Sequence, residues 1–143
     1  MARIRIEPPA DFPFSCQIPV RITDLNYGGH MGNDTLLSIV HEARMQFLQS
    51  LGYTEMNLGG LGMIMADAGI EFRSEVFYGD VLTVSVAAAG ISRAGFDLYY
   101  KLEKEKEGGR QLVALAKTGM VCYDYQKKKI SALPEQVRDQ LGG

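Results

Sequence analysis

Ten residues, DLNYGGHMGN at positions 24–33, gather most of the groups in this chain that could do chemistry. Asp24 offers a carboxylate, Asn26 an amide, and His30 an imidazole whose ordinary pKa near ~6.5 suits proton handling around neutrality. Gly28 and Gly29 lie between them. A glycine-rich turn that runs into a helix leaves backbone N–H groups unpaired, and the positive end of the helix dipole adds to their pull. Such a turn can hold an oxygen on which negative charge develops. The same glycines also serve a plain tight turn, and Asn26 is common turn chemistry. Asp24 can simply tie the loop to its own backbone. The residues alone leave these readings even. Glu42 is a second carboxylate, on the polar side of a mostly apolar segment; an i,i+4 surface pair, or a partner for His41 or Arg44, competes with any catalytic use.

Elements must position these groups. FSCQIPVRIT (14–23) alternates, with Cys16, Ile18, Val20 and Ile22 on one face, and predicts a half-buried strand. Pro19 suits an edge position. Leu36, Leu37, Val40, Ala43, Phe47, Leu48 and Leu51 recur at helical spacing and predict a helix over 35–51. Asn33 or Asp34 is the expected cap, and Gly52 the stop. Strands follow at 63–75, 81–92, 95–106 and 110–125, with turns at Gly79–Asp80 and Gly108–Gly109. Pro134 opens a short helix, and residues 1–13, with Pro8, Pro9 and Pro13, read as an extended arm. Met56, Met63 and Met65 read as core.

One long helix among antiparallel strands is an α+β arrangement, a curved antiparallel sheet wrapped around a central helix. An open sheet edge and one uncovered helix side then imply a homo-oligomer. With 143 residues, the chain is expected to form one domain. Its net charge of −2 disfavours nucleic acid as a partner. No apolar run spans a membrane, and no apolar stretch follows the basic start to make a secretory signal. Cys16 and Cys122 lack metal-ligand spacing and read as reduced thiols of a cytoplasmic protein. GISRAG at 90–95 is not a GxSxG elbow, His41-Glu42 is not completed to HExxH because position 45 is Met, and LGGLGMIM (58–65) lacks GxGxxG spacing. Serine-hydrolase, zinc and nucleotide chemistry drop out.

RITDLNYGGHMGNDTLLSIVHEARMQFLQSLGY (21–53) resembles the signature of hotdog-fold acyl-CoA thioesterases, of the 4-hydroxybenzoyl-CoA and long-chain acyl-CoA kinds. The matching residues are Asp24, Gly29, His30, Asn33, Glu42 and Arg44. FRSEVFYGDVLTVSV and GISRAGFDLYY are similar to the family's later strand pair and turn. In many members the second Asp of Asp-x-Asp is the catalytic carboxylate; here that position is Asn26, which cannot act as nucleophile or base. The family's Asn pair also lacks its first member, Gly32 standing there.

The resemblance implies hydrolysis of an acyl-CoA thioester to free acid and coenzyme A. Gly28 and Gly29 would hold the carbonyl oxygen together with His30. His30, Asn26 and a carboxylate, Asp24 or Glu42, would manage the water. Coenzyme A would be part of the substrate, with no metal and no organic cofactor. Its phosphates need cations at the rim, for which Arg93, Arg73 and Lys117 are candidates, Arg93 favoured by the family's turn. The expected assembly is a homodimer or homotetramer. Two alternatives stay open: a hotdog enoyl-CoA hydratase or dehydratase, and a non-catalytic acyl-CoA binding module, which Asn26 favours.

Overall fold

The computed structural model describes residues 2–29 and 31–142. The elements are β1 (Phe14–Pro19), α1 (Asn33–Ser50), β2 (Gly62–Phe72), β3 (Val81–Ala89), β4 (Gly95–Lys106), β5 (Gly109–Asp124), β6 (Lys129–Ile130) and α2 (Glu135–Gln140). The strands pair antiparallel in the order β1-β3-β4-β5-β2, with β6 on the end of β5. This is the α+β arrangement expected, one sheet around one long helix.

Strand β1 stops earlier than its alternation predicts. Pro19 has no N–H to continue the ladder. Val20 N–H turns away to the Asp80 carbonyl at 2.9 Å, and Ile22–Asp24 form a single 3-10 turn. β1 is an edge strand, as Pro19 predicts. Helix α1 begins two residues earlier than its apolar stripe indicates. Its cap is Gly32, in extended conformation and without a side-chain bond, and neither Asn33 nor Asp34. A Cβ at Gly32 would lie 2.8 Å from Asp34 Oδ1, so a larger residue there would make that flexible carboxylate turn aside. The β4–β5 turn is Glu107–Gly108, because Gly109 already pairs with Lys106.

Leu36, Ile39, Val40, Ala43, Phe47 and Leu48 of α1 are buried against Leu82, Val84, Val86, Leu98 and Leu102 of the sheet. The opposite side of α1, with Leu37, Ser38, His41 and Glu42, is exposed. So are Ile64 and Met65 on β2, a free edge of the sheet. Of the three methionines read as core, only Met63 is buried; Met56 and Met65 are 68% and 48% exposed. Met65 borders an opening with Leu37, Ser38 and His41 of α1, and no described element covers it. Cys16 and Cys122 are free thiols. Burial pushes both up from the ordinary thiol range, with Glu42 adding to the effect on Cys16 and Asp124 on Cys122.

A polar chain runs through this core. Arg44, nearly buried, donates to Tyr100 Oη at 3.2 Å and to Glu55 at 3.3 Å. Tyr100 Oη meets Thr118 Oγ1 at 2.7 Å, and His41 closes the far end on Glu55 at 2.5 Å. The chain ties α1 to β4, β5 and the loop after the helix. Tyr100→Phe removes the central hydroxyl and leaves Arg44 and Thr118 short of a partner. The expected cost is about 1–3 kcal/mol, read as a lower urea midpoint with an unchanged slope.

Candidate active site

The loop between β1 and α1 is pinned to the loop between β2 and β3. Met31 N–H donates to the Val76 carbonyl at 3.0 Å, beside the Val20–Asp80 bond. Lys104 holds the other end of the second loop, reaching the Glu75 carbonyl at 2.7 Å and Asp80 Oδ2 at 3.3 Å. Between the two loops lies a cavity of about 500 Å³. Asn26, Gly32 and Asn33 form one wall, Phe72, Arg73 and Glu75 the other, with Leu36, Val76 and Val113 between them.

Asn26 organises the turn that precedes the helix. Its Oδ1 accepts the Gly28 N–H at 2.8 Å, and its backbone carbonyl accepts the Gly29 N–H at 3.0 Å. The two N–H groups expected to hold a substrate oxygen, Gly28 and Gly29, are therefore spent inside the turn. His30 lies outside the described residues. Open donors sit a few residues later. Leu36 N–H bonds back to Gly32, whereas the N–H groups of Asn33, Asp34 and Thr35 meet no acceptor among the described residues. Gly32 and Asn33 line the cavity, so this first turn opens into it.

The carboxylates separate. Asp24 and Glu42 line a second cleft of about 320 Å³, together with Arg21 and Ser38, and that cleft shares no residue with the first. Asp24 is buried and accepts the Arg21 N–H at 2.8 Å and its guanidinium at 3.2 Å. Glu42 is exposed and accepts from Gln46, one turn on, at 2.8 Å. The acidic residue that does share a cavity with Asn26 and the helix start is Glu75, itself exposed. It makes no ion pair among the described residues. The strand expected over 63–75 would include Glu75; β2 ends at Phe72, which leaves Glu75 in the loop before the FYGD turn, where functional side chains concentrate.

Burial alone would push Asp24 up; the Arg21 N–H and guanidinium outweigh it and hold the carboxyl below the usual range. A carboxyl lowered in the folded state adds stability above its unfolded value of about 3.9, and that stability is lost as pH falls through the folded value. Asp24→Asn is expected to flatten the fall of stability below about pH 4, measured by urea unfolding at a series of pH values. Because the Arg21 side chain is 73% exposed, raised salt should shrink the difference.

The cations also separate. Arg73 lines the first cavity but is paired with Glu71. Lys117 is neutralised by Asp67 at 2.8 Å and Asp97 at 3.3 Å, far along the sheet. Arg93 is exposed on the turn before β4, and its carbonyl accepts the Leu133 N–H at 2.9 Å. No group of three or more metal-ligating side chains is found among the described residues. No described helix is long and apolar enough to cross a membrane.

The thioesterase-like superfamily matches residues 20–141. A 1,4-dihydroxy-2-naphthoyl-CoA hydrolase of Synechococcus elongatus is 29% identical over 136 residues, covering 92% of this chain and 96% of that one. The long-chain acyl-CoA thioesterase FadM of Escherichia coli is 28% identical over 126 residues, covering 87% and 94%. The crystal structure of a hypothetical protein from Aquifex aeolicus superposes with a TM-score of 0.80 at 27% identity, covering 90% of this chain and 99% of that one.

Proposed function

Because this chain belongs to the thioesterase-like superfamily, we propose that it hydrolyses an acyl-CoA thioester to the free acid and coenzyme A. The observation that carries the reading is the cavity into which the start of α1 opens, with Asn26 and Glu75 on its walls. The hotdog fold and the named relatives support it.

The thioester oxygen sits against the N–H groups of the first turn of α1, where the helix dipole reinforces them. Asn26 has its Oδ1 engaged by Gly28, which leaves its amide N–H₂ to orient a water or the carbonyl. Glu75 accepts the water proton as the water oxygen attacks the carbonyl carbon. The tetrahedral intermediate collapses, the carbon–sulfur bond breaks, and the thiolate of coenzyme A takes up a proton. His30, next to Gly29 in sequence, is the proton carrier for that last step. Glu42 and Asp24 are the competing carboxylates. The steps call on no metal or organic cofactor, and coenzyme A is the leaving group.

Arg73 is the cation of the same cavity and the first choice for the coenzyme phosphates. Arg93, which makes no ion pair among the described residues, is the second, and Lys117, already paired twice, the third. The open edges of β1 and β2 and the uncovered Leu37, Met65 side of α1 support a homodimer or homotetramer. Free Cys16 and Cys122 fit the reducing cytoplasm.

A panel of acyl-CoAs, followed by mass spectrometry and free-thiol release, tests the activity. Turnover of at least one chain length is expected. Tight binding with no thiol release from any substrate would instead establish the binding module that Asn26 favours. Hydration of an enoyl-CoA without hydrolysis would establish the hydratase.

A further inference from the structure

The N-terminal arm lies across β2 at a defined place. Ile6 N–H donates to Glu71 Oε1 at 3.0 Å, and Glu71 is also paired with Arg73. A Cβ built on Gly69 would meet Ile6 Cδ1 at 3.4 Å and Ile4 Cγ2 at 3.7 Å, so the two arm side chains lie over that glycine. Ile4 thereby comes to border a further opening, of about 320 Å³. Its walls are apolar: Leu37 from α1, Ile70 and Phe72 from β2, and Ile4 from the arm. Asn33 and Asp34 stand at its polar end.

This slot and the candidate active-site cavity are neighbours, because Asn33 and Phe72 line both. A carbonyl held at the first turn of α1 has its coenzyme on one side and its acyl group on the other. The apolar volume that adjoins the cavity, through Asn33 and Phe72, is the slot. Ile4 is 61% exposed in the single chain, an apolar side chain at the rim of the slot. A long or bulky acyl group filling the slot would cover it, and burial of apolar surface favours that contact.

We propose that this slot receives the acyl chain and that Ile4, held in place by the Ile6–Glu71 bond, is the residue of the arm that sets preference for longer or bulkier acyl groups. The proposal rests on the acyl-CoA reading above. It makes the arm part of the specificity machinery rather than a loose tail. Short acyl groups end before the arm and do not sense it.

The test uses S-methyl-, S-hexyl- and S-dodecyl-coenzyme A, thioethers that cannot be hydrolysed, titrated by calorimetry into wild type, Ile4→Ala and a form lacking residues 2–7. Matched acyl-CoA turnover is run beside it. Wild type should bind the dodecyl thioether at least tenfold tighter than the methyl one. Both variants should lose about fivefold or more on dodecyl and less than twofold on methyl, with an unchanged melting temperature for Ile4→Ala. Equal losses on both ligands, no loss, or no preference in wild type would overturn the proposal. The two readings fail separately. The thioether pattern without any thiol release sinks the hydrolase and keeps the slot. Hydrolysis whose chain-length profile is the same in all three proteins sinks the slot and keeps the hydrolase.

Discussion

Asn33→Pro is expected to lower kcat by about 10²–10³ while leaving KM within a few-fold, the size of effect seen when one oxyanion donor is removed. The substitution is chosen because it deletes a backbone N–H, which ordinary side-chain changes cannot do. Asn33 is the first residue of α1, the helical position where proline is best tolerated. A proline also restricts the residue before it to extended conformations. Gly32 already has φ −76 and ψ 161, so the fold has nothing to rearrange. The Asn33 N–H has no acceptor among the described residues, so no internal bond is lost. Asn33→Ala separates the two parts of the residue, since it removes the exposed side chain and keeps the N–H. It should stay within a few-fold of wild type. Should the proline and alanine variants be equally active, the carbonyl is held elsewhere and the site must be sought away from the helix start. Initial rates on the best acyl-CoA of the panel, with far-ultraviolet circular dichroism as a fold control, decide it.

The element order was legible because it is written in periodicity. The apolar stripe from Leu36 to Leu48 and the alternation of Cys16 and Ile18 each report a face against one core. The ends of elements were less legible, for local reasons. Pro19 ends β1 by lacking an N–H, and Gly32 takes the cap position in extended conformation without any side-chain bond to mark it in the sequence. The site divides the same way. Asn26, Gly32 and Asn33 are consecutive enough for a motif to catch. Glu75 comes to the cavity from a loop some fifty positions along, through the Met31–Val76 bond and the Lys104 clamp, and no spacing in the sequence encodes that meeting. Gly28 and Gly29 show the converse. Their type and spacing fit an oxygen-holding turn, yet the Asn26 side chain and carbonyl occupy both N–H groups.

That placement gives Glu75→Gln the second large expected effect, a fall in kcat of about 10²–10⁴, the usual worth of a positioned general base. Glutamine keeps the size and hydrogen-bonding reach of the side chain but cannot take a proton. The Lys104 bond goes to the Glu75 backbone carbonyl, so the loop stays clamped in the variant. Glu42→Gln, whose partner is only Gln46, should remain within a few-fold. Asp24→Asn should show its main effect on acid stability and a small one on rate, because Asp24 is turned into the loop by Arg21. A rescue sharpens the assignment. Asn26→Asp puts a carboxylate into the same cavity, and its oxygen can still accept the Gly28 N–H. In the Glu75→Gln background it should restore at least tenfold of the lost kcat, because water can then be deprotonated from the opposite wall. In the Glu42→Gln background it should restore nothing, there being nothing to restore. If Glu42→Gln proves the inactive variant and Glu75→Gln the active one, the base comes from the second cleft. Its water would then have to reach the thioester across a subunit contact, since within one chain the two clefts share no wall.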